Sequence, residues 1–291
     1  MNTSYELPET IEEACLLLET DGAHALAGGV AFTMALTKAQ LQPASIVSLA
    51  KLSGLRGVES GEGLVIGALT THAELLHNPA LAAYDPLLPL MFSDVGNVRV
   101  RAVGTLGGNL AYADPRHDPA PLLCALGAEV VLRSARVSRR LPLESLAAGP
   151  FQTTLGHGEL LTSIELPPRP VSRRTGWCKL QSSSLDDYAS VSVAVSYEVA
   201  GGRVVNPRVY VGAADTHVRP LSASDCLAGA AVDAAGQLEP EAVQAAADAV
   251  EAEVQPKEDH RGSQRYKRQL TRAALFRAVA RAGSPSEGEN H

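Results

Sequence analysis

Cysteine is scarce in this sequence, and it is scattered. Cys15, Cys124, Cys178 and Cys226 include no Cys-x-x-Cys pair, so neither a zinc ribbon nor an iron–sulfur cluster can be built from local sequence. Aromatic residues make up only 4% of the chain, and the single Trp177 cannot form a stacking platform for bases on its own. There is no positive surplus either: the net charge of −7 repels a phosphate backbone and excludes nucleic acid as an expected partner. No apolar run reaches the roughly 18 residues of a membrane span. The opening Met-Asn-Thr-Ser-Tyr-Glu-Leu-Pro lacks the basic region and apolar stretch of a secretory signal. A cytoplasmic chain with no membrane partner is therefore expected. Two chemistries lack their motifs as well. Without a Gly-x-Ser-x-Gly elbow or a recognisable Cys–His pairing, hydrolysis is not expected. Without Gly-x-Gly-x-x-Gly or a P-loop, neither a Rossmann nor a P-loop nucleotide site is expected.

What remains is a chain of 291 residues, 45% hydrophobic and 20% charged, long enough for two ordinary domains. Thr10 and Glu13 have capping-box spacing ahead of a helix over about 10–19. A short strand over 23–27, a turn at Gly28-Gly29, a helix over 31–39 and a strand over 45–49 then form a βαβ unit. Strands at 57–60 and 64–67 and helices near 71–76 and 87–95 follow. A helix over 120–126 and strands at 129–132 and 163–166 complete the first half. Pro167-Pro168-Arg169-Pro170 can continue neither helix nor strand and marks a boundary. Beyond it, 190–199 and 204–211 alternate as strands around Gly201-Gly202 at hairpin spacing. Helices over 239–254 and 263–282 close the chain, ahead of a polar tail. The expected domains are 1–170, in subdomains of roughly 1–55 and 56–170, and 171–282, with 283–291 disordered.

The most informative features are two glycine loops, Ala27-Gly28-Gly29-Val30-Ala31 and Gly104-Thr105-Leu106-Gly107-Gly108-Asn109. Consecutive glycines admit positive φ, turn several amides toward one point and let a ligand approach the main chain. A diphosphate fits that description, although a glycine pair alone is also an ordinary tight turn. Asp118 before Pro119 reads as a helix N-cap, a role compatible with accepting a hydrogen bond from a ribityl or ribose hydroxyl. Asp114, His117 and Asp118 crowd three ligand types into five residues with no distant partner and make a poor metal cage. His72 and His77 read as helix-surface or capping residues. Lys257–Arg281 holds eight basic and two acidic residues, which reads as a solvated helix face or a docking surface for an acidic partner.

Together, Ala27-Gly28-Gly29, Ile66-Gly67-Ala68-Leu69-Thr70-Thr71, Thr105-Leu106-Gly107-Gly108-Asn109, Ala113-Asp114-Pro115 with Asp118, and the segments around Leu161 and Lys179–Ala189 resemble the medium, FAD-binding subunit of molybdenum hydroxylases. That group includes the carbon monoxide dehydrogenase and xanthine dehydrogenase flavoproteins. The resemblance runs over nearly the whole chain. It implies an α+β protein: a bipartite FAD domain of the vanillyl-alcohol-oxidase type, then a smaller α+β domain with an antiparallel sheet and helices.

The resemblance further implies that Ala25, Leu26, Ala27, Gly28, Gly29, Val30, Ala31 and Phe32 form one FAD loop, and Thr105, Gly107, Gly108 and Asn109 the other. Asp118 would lie near the ribityl chain, Leu161 against the flavin ring, and Lys179 near the ring's polar edge. Val30 and Ala31 depart from the polar residues usual in relatives, and Ser183 and Ser184 stand where relatives carry arginines. The implied partners are a molybdenum-cofactor large subunit and a 2Fe–2S small subunit, in a hetero-oligomer that passes electrons through FAD to NAD or another acceptor. The alternative is a non-catalytic nucleotide-binding regulatory or assembly module that keeps the fold.

Overall fold

The computed structural model describes residues 3–182 and 187–283; Ser183, Ser184 and the tail from 284 onward lie outside the described residues. Two compact units emerge. The first takes the chain up to Asp114 together with Ala128–Pro167, and the second takes Pro115–Gly127 together with the chain from Pro168 onward. The second unit therefore includes a short segment from between the two stretches of the first.

In the first unit, strands β1 (Ser4–Glu6), β2 (Ala23–Leu26) and β3 (Ser45–Ser48) form a parallel sheet in the order β1-β3-β2. Helices α1 (Ile11–Leu18) and α2 (Val30–Thr37) provide its connections. Thr10 caps α1 by accepting from the Glu13 amide at 3.1 Å, as the spacing requires. Glu13, however, turns to the Glu9 amide, leaving the capping box half made.

Strands β4 (Val58–Ser60), β5 (Leu64–Gly67), β6 (Glu129–Arg133) and β7 (Ser138–Pro142), the two-stranded ribbon β8 (Ala147–Gly149) and β9 (Gln152–Thr153), and β10 (Leu160–Leu166) make up the rest of the unit's strands. The larger sheet is antiparallel, ordered β4-β5-β10-β6-β7. Ala14, Cys15 and Leu18 of α1, Val47 of β3 and Leu160 of β10 share one buried core that joins the two sheets of this unit. Helices α3 (His72–Leu76), α4 (Pro79–Tyr84), α5 (Leu87–Ser93), α6 (Val98–Val103) and α7 (Leu106–Tyr112) follow β5.

One expectation is corrected here. Residues 106–109 are not a glycine loop but the first turn of α7, with Thr105 as its N-cap. Each glycine disfavours helix by about 1 kcal/mol relative to alanine, and neighbouring backbone supplies the compensation described below.

The second unit begins with α8 (Pro119–Ala125), whose proline stands at the first helical position as expected. Strands β11 (Arg173–Leu180), β12 (Val191–Ala200) and β13 (Arg203–Gly212) form an antiparallel sheet in that order. Gly201 and Gly202, at φ +58° and +73°, turn β12 into β13. Helices α9 (Ala223–Leu227), α10 (Pro240–Glu253) and α11 (Gln264–Gly283) follow. Val191, Val193, Val195 and Tyr197 point one way and pack with Val250, Ala274, Leu275 and Ala278. The alternate residues Ser192 and Ser196 are buried as well, so β12 is covered on both faces rather than half-exposed. A Cβ on Gly176 would lie 1.8 Å from the Ala278 carbonyl oxygen, so α11 rests its backbone on β11.

Much of the basic stretch is used internally. Lys267 is buried and donates to Asp259 and to the Lys257 carbonyl, both at 2.8 Å. Arg272 pairs with Asp248, and Arg281 donates to the Trp177 carbonyl at 2.7 Å.

Candidate functional site

The two glycine-bearing segments lie against each other within the first unit. The first leaves β2 at Leu26, and Gly29 takes a left-handed φ of +77° as the N-cap of α2, with no side chain capping the helix. Only a residue without Cβ adopts that φ freely. The amides of Val30, Ala31 and Phe32 open α2 and have no carbonyl a turn earlier to bond. They carry the partial positive charge of the helix terminus. No charged residue occurs from Ala25 to Thr37 or from Ala102 to Ala113. These stretches themselves therefore offer an anion backbone dipoles and no charged side chain.

The second segment is committed differently. The Leu106 amide donates to the Thr70 carbonyl at 3.0 Å, Gly107 to the Ala68 carbonyl at 2.8 Å, Gly108 to the Thr105 hydroxyl at 3.2 Å and Asn109 to the Thr105 carbonyl at 2.9 Å. The His72 amide donates back to the Gly104 carbonyl at 2.9 Å, and Thr71 bridges Thr105. Residues 68–72 thus fasten the start of α7 by backbone bonds, which offsets the helix-weakening glycines. His72 itself is buried, not on a helix surface, and its ring lies beneath Gly104. Of Gly28, Gly29, Gly107 and Gly108, only Gly29 has positive φ, which corrects the expectation that both pairs rely on it.

The loops meet at two points. A Cβ on Gly28 would fall 1.9 Å from the Val103 carbonyl oxygen and 3.0 Å from Gly104 Cα, so Gly28 docks on the end of α6. A Cβ on Gly108 would sit 3.7 Å from the Ala27 methyl and 2.9 Å from the Thr105 hydroxyl, and Gly108 is exposed. Leu161 is buried in β10, next to Thr162, whose carbonyl accepts the Ala68 amide at 3.0 Å.

Asp118 and Lys179 lie in the second unit and bond to each other. The Lys179 ammonium is 2.8 Å from Asp118 Oδ2, with both side chains buried. Asp118 occupies the N-cap position of α8 but makes no capping bond, contrary to the expected capping role. In the same unit, the Arg116 and Arg261 guanidinium carbons stand 4.6 and 5.5 Å from the centre of the Tyr188 ring. His117 lies parallel to that ring at 6.0 Å. Neither this stack nor the fastening role of Ala68, Thr70 and Thr71 is anticipated from sequence. The only signal for the latter is the Ile66–Thr71 motif, which the resemblance includes without giving it a task.

Residues 1–169 match the family described as the FAD binding domain in molybdopterin dehydrogenase, and residues 179–282 match the CO dehydrogenase flavoprotein C-terminal domain. This chain is a FAD-binding medium subunit of the molybdenum hydroxylase family. The family assignment makes it part of an oxidoreductase complex and makes FAD its cofactor. It is 30% identical to the nicotine 6-hydroxylase medium subunit of Paenarthrobacter nicotinovorans, covering 96% of this chain and 97% of that one. It is 31% identical to the carbon monoxide dehydrogenase medium chain of Afipia carboxidovorans, covering 96% of each. The carbon monoxide dehydrogenase structure from Hydrogenophaga pseudoflava matches with a TM-score of 0.90 at 30% identity, over 97% of both chains. The α+β architecture of this medium subunit is that of its family. Among the described residues no helix is long and apolar enough to cross a membrane.

Proposed function

We propose that this chain is an electron-transfer subunit whose FAD is held, at its diphosphate, between Ala25–Phe32 and Thr105–Asn109. The observation that carries the reading is the contact between the two segments, with Gly28 against Val103 and Gly104 and a Cβ on Gly108 falling 3.7 Å from the Ala27 methyl, three residues ahead of α2 and its uncapped start. The fit to FAD rests on that approach: Gly108 is exposed and lies near Ala27, and the uncapped amides that open α2 suit a doubly charged linker. The α2 amides bind and orient the diphosphate. The Thr105 hydroxyl, bonded to the Gly108 amide, keeps the opposite edge in place. When bound, the flavin supplies the redox chemistry, and the protein supplies binding and electronic tuning. The assignment of Asp118 to the ribityl chain, Leu161 to the ring and Lys179 to the ring's polar edge rests on the family resemblance.

The reading includes a molybdenum-cofactor large subunit as the source of electrons, a 2Fe–2S small subunit as the relay, and NAD or another acceptor, in a cytoplasmic hetero-oligomer. Exposed apolar surface supports such partners. Helix α2 has no charged and no buried residue, and Met34 is 40% exposed. On α6, which also buries no residue, Val98 is 70% exposed.

The test uses the purified full chain, loaded with FAD and separated from free flavin. Wild-type protein is expected to keep the visible flavin absorption. Gly108→Val, whose side chain crowds the Thr105 hydroxyl and the Ala27 methyl, is expected to lose it, with at least about a hundredfold weaker binding, or about 2.7 kcal/mol. Undiminished flavin in that variant contradicts the loop assignment. A wild-type chain that stays colourless and cannot be loaded favours the non-catalytic module instead.

A further inference from the structure

The glycines of the two loops do different jobs, and the difference points to a residue outside both. Gly107 has no positive φ, so its backbone conformation does not require glycine. Space does. A Cβ there would lie 2.5 Å from the Ala68 methyl, 2.8 Å from the Ala68 carbonyl oxygen and 3.0 Å from Ala68 Cα. Gly107 is buried, and its amide is bonded to that same Ala68 carbonyl at 2.8 Å.

Ala68, 3% exposed, follows directly on β5 and is anchored from the other side, its amide donating to the Thr162 carbonyl of β10 at 3.0 Å. A line of backbone bonds therefore runs from the β10 strand through Ala68 to the first turn of α7. The start of α7 has no freedom to move toward β5 without meeting the Ala68 methyl. Close-packed interiors transmit displacements of this kind rather than absorbing them.

We propose that Ala68 is a positioning residue for FAD: its methyl, seated on the side-chain-free face of Gly107, sets where Thr105–Asn109 stands opposite the first loop, and Gly107 itself does not touch the cofactor. The inference rests on the loop assignment proposed above and deepens it. Gly107 and Gly28 become joints, Gly29 a conformational hinge at the α2 terminus, and Gly108 the glycine that faces the ligand.

A size swap tests this in the FAD-loaded full chain. Ala68→Val and Gly107→Ala each overpack the joint and are expected to weaken FAD binding about tenfold or more. The double variant Ala68→Gly with Gly107→Ala removes the 2.5 Å methyl contact but keeps those with the residue-68 carbonyl oxygen and Cα, and is expected to bind FAD at least about threefold tighter than Gly107→Ala alone, a coupling that only residues in contact show. The visible circular dichroism of the bound flavin, which reports its placement, is expected to change in the single variants and to move back toward wild type in the double. Thermal melting of the FAD-free protein is followed in parallel. If Ala68→Val lowers the melting temperature but leaves FAD affinity and the flavin signal unchanged, Ala68 is structural only and the proposal is overturned. A double variant no tighter than Gly107→Ala alone overturns it as well, because a residue touching the flavin directly gains nothing from space at Ala68. Should Gly107→Ala fail to fold, Ala68→Val and the double variant still decide. Gly108→Val separates the two claims. Flavin loss in it alongside an uncoupled swap rejects the Ala68 role and leaves the loop reading standing, whereas flavin retention in it rejects both.

Discussion

The two glycine-bearing segments look alike as sequence, each an uncharged stretch with a glycine pair, yet the fold uses them in opposite ways. At the first, the glycine at φ +77° opens a helix whose leading amides are left without carbonyl partners. At the second, four successive amides are already bonded, two of them to residues 68 and 70. Amides without carbonyl partners are thus concentrated at the first segment, while those of the second are already committed. A paired glycine therefore does not by itself mean a nest of free amides. What decides is whether the chain around it has spent them.

The second unit offers a contrast in electrostatics, since it buries a full ion pair where the loops carry no charge at all. Lys179→Met removes the buried ammonium from beside the Asp118 carboxylate and is expected to destabilise that unit by about 3–5 kcal/mol, with much of the loss recovered when Asp118→Leu is added. Chemical denaturation of the three proteins checks this, and a loss below about 1 kcal/mol would show the site to be open to water.

A smaller effect separates the two loops directly. Gly29→Ala has room for its methyl, the nearest atom being Leu26 Cδ1 at 3.4 Å, but holds alanine in the left-handed region. The expected penalty is about 1–2 kcal/mol, appearing in stability even without FAD. Gly107→Ala, by contrast, is expected to act through displacement of α7 toward weaker FAD binding. Equal behaviour of the two variants in denaturation and FAD titration would erase the distinction.

The smallest effect concerns Glu74, whose carboxylate accepts from the Thr71 amide at 2.9 Å and hydroxyl at 2.8 Å and pairs with Arg56. Burial pushes its pKa up, but the Thr71 amide, Arg56 and the Thr71 hydroxyl outweigh burial and hold it below its ordinary 4.5. A carboxyl lowered on folding contributes stability that is present above its unfolded pKa and lost as pH falls through the folded value. FAD retention is therefore expected to fall in the acid range below 4.5, as the Thr71–Thr105 bridge loosens. Glu74→Gln is expected to flatten that slope. An unchanged acid profile in flavin absorption would remove Glu74 from the account.

Much of the fold is legible in the sequence where local rules and tertiary packing agree. The βαβ unit over 23–49, the Gly201-Gly202 hairpin and the two long C-terminal helices all follow from periodicity and turn chemistry. Other elements escape for physical reasons. Helices α6 and α7 carry valine or glycine where propensity is weak, and α7 exists because Thr105 caps it and residues 68 and 70 take its first amides. Strand β11 is not anticipated, since a partner that holds its Lys179 lies 61 residues away, at Asp118. Within the candidate site, the glycines are readable as glycines. Which of them is a joint, a hinge or an open edge depends on Val103 and Ala68, whose distances no spacing rule supplies.

The most direct measurement is an amide-resolved FAD titration of isotopically labelled full chain by nuclear magnetic resonance. The account predicts large shifts at Gly29, Val30, Ala31 and Phe32 as their amides gain a charged acceptor, with Leu106, Gly107 and Asn109 moving little because their bonds are already made. Shifts concentrated at the start of α7, or absent from both segments while FAD binds, would contradict it.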